Sequence, residues 1–113
     1  MNSGCGVISS QGPGATGFMI KHKENGLVYN FRSFNSLYKN VKLLFDDIDF
    51  CEKLGMNAYD TIINTWNAET ATRNLMKLLE NLSDGADTPI KDGPASKAKI
   101  TPRAFMYHRL THK

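Results

Sequence analysis

From Cys5 to Tyr29 the chain reads Cys-Gly-Val-Ile-Ser-Ser-Gln-Gly-Pro-Gly-Ala-Thr-Gly-Phe-Met-Ile-Lys-His-Lys-Glu-Asn-Gly-Leu-Val-Tyr, and this stretch decides the fold class. Val7 and Ile8 lie between glycine and serine, so Cys5 to Ser9 is expected to form a very short buried strand. Residues 11 to 16 hold Gly12, Pro13 and Gly14, which loosen and then fix the backbone as a turn does. A short helix over about Ala15 to Lys21 follows, with Phe18 and Met19 as its apolar side. Glu24-Asn25-Gly26 makes a second turn, in which Gly26 is expected to need a positive φ, and Leu27-Val28-Tyr29 makes a second strand. A strand, a helix and a second strand open the chain in the manner of the α/β class.

Beyond this stretch the period becomes helical. Phe34, Leu37, Tyr38, Val41, Leu44 and Phe45 fall at i, i+3, i+4, i+7, i+10 and i+11, a single stripe that Ser33 can cap. Asp46 or Asp47 can cap a short helix ending at Gly55, read here as a glycine stop. Met56, Tyr59, Ile62, Ile63 and Trp66 repeat the spacing. Asn67 can cap a last helix with Glu69 in its first turn and Leu75, Leu78, Leu79 and Leu82 along one side. The expected order is β-α-β-α-α-α-α over residues 1–83. Residues 84–113 form a turn-rich tail: 84–102 read as an extended or mobile connector with no special demand at Gly85, and Phe105, Met106, Tyr107 and Leu110 as a docking turn.

At 113 residues there is room for one domain, and 41% hydrophobic with 22% charged residues excludes collagen-like and wholly disordered chains. Apolar runs such as Leu43-Leu44-Phe45 are short, far below the roughly 18 residues of a membrane span. The first residues lack the basic and apolar parts of a signal peptide, which predicts a cytoplasmic protein. The formal charge of +3 is asymmetric. Acidic and basic residues balance through Ser83, and the excess comes from Lys91, Lys97, Lys99, Arg103, Arg109 and Lys113. Those charges with Phe105 and Tyr107 suit nucleic-acid stacking in principle, but they form no binding motif, so no nucleic-acid partner is expected. Peripheral membrane contact is left open.

Cys5 and Cys51 stand outside any Cys-x-x-Cys pair and read as ordinary thiols. His108 and His112 share a helical face without an acidic neighbour, and His22 sits in a Lys-His-Lys run, so no metal and no cofactor is expected. Trp66 invites a sugar-stacking role, yet its spacing with Tyr59, Ile62 and Ile63 is that of a packing residue. Gly12, Gly14, Ala15 and Thr16 are the candidate binding residues: their amides and the helix start after them can face an anion. The simpler reading is a strand turning sharply into a helix.

In order, Met1-Asn2-Ser3-Gly4-Cys5-Gly6-Val7-Ile8, Gly12-Pro13-Gly14, Lys23-Glu24-Asn25-Gly26-Leu27-Val28, Leu54-Gly55-Met56-Asn57-Ala58 and Thr65-Trp66-Asn67-Ala68-Glu69 resemble the end of the nucleotide-binding domain of the group 1, family 4, retaining glycosyltransferases of GT-B fold. The resemblance implies an α/β fold, a partial Rossmann-like domain of short parallel strands plus C-terminal helices. Its parent would transfer a hexose from a nucleotide sugar to a glycan or lipid-linked acceptor, with Gly12, Gly14, Ala15 and Thr16 at the periphery of the donor site. In the family, the paired glutamates and the basic pair that meets the diphosphate precede the position of Met1, as does the acceptor-binding domain. The resemblance therefore implies a piece truncated upstream, with no catalytic residue of its own, inactive alone, prone to self-association and partnered by the missing N-terminal domain. Gly6 stands where the family often has Pro, and Gly17 where it often has Glu. The alternatives are a non-catalytic interaction module and a small nucleic-acid binder acting through the tail.

Overall fold

The computed structural model describes residues 1–12, 14–86 and 90–97. The elements run β1 (Ile8–Ser10), α1 (Thr16–Met19), β2 (Leu27–Tyr29), α2 (Phe34–Asp46), α3 (Ile48–Asn64) and α4 (Ala68–Ser83). β1 and β2 pair in parallel, with Ile8 opposite Leu27 and Ser10 opposite Tyr29. The chain is thus mixed α/β, a two-stranded parallel sheet with four helices among the described residues. None of those helices is long and apolar enough to cross a membrane.

The three long helices start where a side chain can receive an orphan amide. Ser33 accepts from Ser36 at 3.2 Å, Asp47 from Phe50 at 2.9 Å and Asn67 from Thr70 at 2.7 Å. Caps of this kind contribute about 1 kcal/mol each. The first strand starts later than expected, at Ile8 rather than Cys5, because residues 4–6 are committed to α3 instead of the sheet. The ladder begins where the Leu27 amide donates to the Val7 carbonyl at 2.8 Å.

Gly55 corrects a second expectation. It ends no helix: α3 runs through it without a break, so two of the expected helices are one. Gly55 is buried, and a Cβ built there would overlap the Gly4 carbonyl oxygen and lie 3.0 Å from its carbon. The residue is small so that the N-terminal segment can lie directly on the helix. Gly26 likewise has no positive φ; its constraint is space, with Ile20 Cγ2 at 2.9 Å and the Val7 carbonyl oxygen at 3.2 Å from a Cβ placed on it. The positive φ in that loop belongs to Lys23, and the connector glycine Gly85, expected to be unconstrained, has φ +67° as it closes the end of α4. There the Ala86 amide donates to the Asn81 carbonyl at 2.8 Å, as helix-ending glycine turns do.

The core is thin. Leu27 on β2 and Leu54 and Ala58 on α3 are its buried apolar residues among those described. α2 buries no residue fully and α4 buries only Asn74, so both apolar stripes read from the sequence face outward over much of their length. Residues 90–97, from the stretch read as a connector, lie on the body: Asn74 Nδ2 donates to the Pro94 carbonyl at 2.8 Å, and Gly93 rests against Thr65. Residues 87–89 and 98–113, with the expected docking turn, lie outside the described residues.

Gly→Ala in an ordinary helix interior gains about 1 kcal/mol. Gly55→Ala should instead lose about 2 kcal/mol, because backbone must move to admit the methyl. Gly85→Ala should lose about 1 kcal/mol from its left-handed φ alone. Urea titration of both variants checks the order, and a stabilised Gly55→Ala would mean that Gly4 is not seated on α3.

Candidate functional site

Two places can hold a ligand. One is the turn at the carboxyl end of β1, the position where parallel sheets receive ligands. Gly12, Gly14 and Ala15 lie exposed on it, whereas Thr16 is buried. The Thr16 hydroxyl shares a hydrogen bond of 2.7 Å with Ser9, which ties α1 to the strand before it. Thr16 thus serves the turn from inside while its three neighbours face solvent. α1 starts without a side-chain cap, and the Phe18 and Met19 amides both donate to the Ala15 carbonyl, at 3.1 and 2.9 Å.

The glycines of this turn are not alike. A Cβ on Gly12 would make ordinary contacts with Ser10 and Phe31. On Gly14, or on Gly17 within α1, it would meet nothing described within 4 Å. Their effect is a surface without side chains beside the strand end.

The second place is a cleft of about 280 Å³ between the loop after α1 and the second half of α3, closed at one end by Asp92. Phe18, Trp66, Lys21, Asn57, Asp60 and Asp92 give its wall an aromatic and a charged side. Trp66 is half-buried. Lys21 reaches Asp92 at 3.7 Å with both side chains more than half exposed, a pair that contributes little to stability. Under the cleft lies a polar hinge centred on Asn25, which is 4% exposed. Its Oδ1 accepts the Lys21 amide at 2.7 Å, while its Nδ2 donates to the Met19 carbonyl at 2.9 Å and to the Thr61 hydroxyl at 2.8 Å. Asn57 adds a bond from its Nδ2 to the Glu24 carbonyl at 2.7 Å. The loop is fastened to α3 through Glu24 and Asn25.

The sequence reading missed this cleft because its walls come from residues 18–25, 57–66 and 92. One local signal was available: Asn57, Asp60 and Thr61 make a polar stripe at helical spacing beside the apolar one. His22 lies exposed, and its Nδ1 accepts the Val28 amide at 2.9 Å, serving the sheet rather than a metal. Cys5 and Cys51 are free thiols. Among the described residues no group of three or more His, Cys, Asp and Glu side chains is placed to hold a metal ion.

No protein-family model matches the chain, and no curated protein matches it.

Asn25→Ala should cost about 2 to 3 kcal/mol, since it strands the Lys21 amide and the Met19 carbonyl. Thr61→Val removes one of the three bonds and should cost about 1 kcal/mol. Urea midpoints test the ranking, and equal losses would deny Asn25 its role as the hinge.

Proposed function

We propose that the chain is the C-terminal part of a Rossmann-like nucleotide-sugar-binding domain of GT-B type, and that its turn at Gly12, Gly14 and Ala15 approaches the donor diphosphate. The observation that carries the reading is the bare turn: a Cβ on Gly14 would meet nothing among the described residues, and Gly14 lies in the turn that follows the carboxyl end of a parallel strand. Backbone can come close to a phosphate only where no Cβ intervenes. Some of the residues that carry the family resemblance add support, because Asn25, Gly26, Leu27, Leu54, Gly55 and Ala58 are among the residues this fold buries.

On this reading the parent transfers a hexose from a nucleotide sugar, in polysaccharide biosynthesis, with retention at the anomeric carbon. The work of this segment is to present the turn. Stabilising charge on the leaving diphosphate is a main contribution to such catalysis, and the reading assigns that charge to residues other than these. No residue of this chain takes a catalytic role.

The second reading, a non-catalytic interaction module, is favoured by one specific observation. Phe34 and Phe45 on α2 are 76% and 79% exposed, more than solvent-facing phenylalanines without a partner warrant.

Titration with uridine, guanosine and adenosine diphosphates, followed by amide NMR shifts, distinguishes the readings. Shifts centred on Gly12, Gly14 and Ala15, with weak Kd on the order of 1 mM, are expected. Gly14→Val should abolish them while leaving the urea midpoint within about 0.5 kcal/mol of the parent, because the position is open. Shifts confined to the Trp66 cleft, or none, would remove the donor-site reading.

A further inference from the structure

We propose that α2 is the interface of a two-fold symmetric dimer of this chain, in which the helices of two copies lie antiparallel along their aromatic stripes. This stands independently of the glycosyltransferase reading. Phe34, Tyr38, Val41 and Phe45 follow one another at i, i+4, i+7 and i+11, so they line a single edge of α2. The adjoining flank of the same stripe, with Leu37 and Leu44 half-buried, turns toward the body, where α2 packs on α3 and β2. The edge is already ordered: the Phe34 and Tyr38 rings stack with centroids 6.3 Å apart and planes 23° from parallel. Side chains fixed before association lose less entropy on binding.

The area suits a second copy. Phe31, Phe34, Tyr38 and Phe45 together expose on the order of 500 Å² of side chain, given about 200 Å² per ring. A stable interface takes roughly 800 Å² from each partner, with aromatic anchors at its centre. Ile48, 59% exposed at the start of α3, and the stems of Lys39 and Lys42 extend the rings toward that size.

Charge selects the direction. Arg32 precedes the amino end of α2, lying over the Phe31 ring at 5.6 Å, and Asp46 and Asp47 mark the carboxyl end. A two-fold axis between Lys39 and Asn40 sets Phe34 against Phe45 of the second copy, Tyr38 against Val41 and Arg32 against Asp47. The ends of the two helices then meet with opposite dipoles and opposite charges. Parallel pairing would instead bring acid to acid. The symmetry is isologous and closes at two copies.

The face of α4, with Leu75, Met76, Leu79 and Leu82 exposed, is the competing surface. It offers no aromatic anchor, and leucine is under-represented among the residues that dominate interfaces.

Sedimentation equilibrium of the full chain over a range of concentrations should show reversible dimerisation. Phe34→Lys and Phe45→Glu should each weaken it at least tenfold, with circular dichroism melts of the dilute proteins near that of the parent, because both positions are exposed. Mixing the two variants should restore a heterodimer, since one cross-contact becomes a lysine and glutamate pair and the other stays Phe to Phe. A third variant, Tyr38→Glu, repeats the test at the centre of the stripe if either end variant melts early. Four outcomes overturn the proposal: a monomeric parent at every concentration, a dimer that survives these changes, a dimer dissolved by Leu79→Glu but not by them, and variants that fail to recombine. A monomeric parent that sediments with anionic lipid vesicles through the same side chains would assign the face to a membrane and overturn it as well.

Discussion

The carbonyl of Gly4 lies where any side chain on residue 55 would have to be, and the rest of the molecule is arranged around that approach. Because Gly55 lets the N-terminal segment rest on α3, Gly6 comes beside Cys51, Val7 reaches the Leu27 amide, and β1 and β2 pair in parallel. A larger residue would lift the first strand off its support. The sheet has two strands among the described residues, and α2 packs against the second of them, with Asn40 Nδ2 donating to the Val28 carbonyl. The same helix carries Asn57 and Thr61 on its next turn, where they fasten the loop that leads into β2. One face of α3 thus organises both strands and the link between them.

Apolar burial contributes less here than in most domains, with Leu27, Leu54 and Ala58 as the fully buried apolar residues. Polar bonds fill the gap. Asn25 joins three segments, the caps at Ser33, Asp47 and Asn67 fix the helix starts, and Asn74 holds the segment near Pro94. No buried side-chain polar atom among the described residues lacks a partner. Such a network defines geometry well but contributes only about 1 kcal/mol per bond, against the 1.5 to 3 kcal/mol of a fully buried leucine. The apolar stripes of α2 and α4 are the reserve that association can draw on.

What the sequence made legible follows the range of the forces involved. Ser33, Asp47 and Asn67 could be read as caps because a cap is decided within three residues, and the two strands because flanking glycines and serines mark them. Gly55, Gly26 and Gly85 were misread because a glycine looks the same whether it serves a turn, a close approach or a helix end. Only the distant partner, Gly4 for one and Val7 for another, tells which. The α2 stripe was legible as a stripe, but periodicity says that a face is apolar and not which surface covers it. At the turn, Gly12, Gly14 and Ala15 lie on the surface, while Thr16 turns inward to Ser9 through a contact seven residues back. The cleft near Trp66 had no local signature beyond three polar residues on α3.

The family resemblance is carried by residues whose work in this structure is packing. Leu54, Gly55 and Ala58 are one buried face of a helix, and Asn25-Gly26-Leu27 is the buried entrance to a strand. Motifs of this kind report on how a backbone is assembled, whereas function belongs to the site built on it. The functional reading therefore rests on the few resemblance positions that packing does not explain. Gly14 is such a position: it is open among the described residues and lies in the turn after a parallel strand. A glycine with no internal reason to be glycine is the residue at which a ligand can supply one.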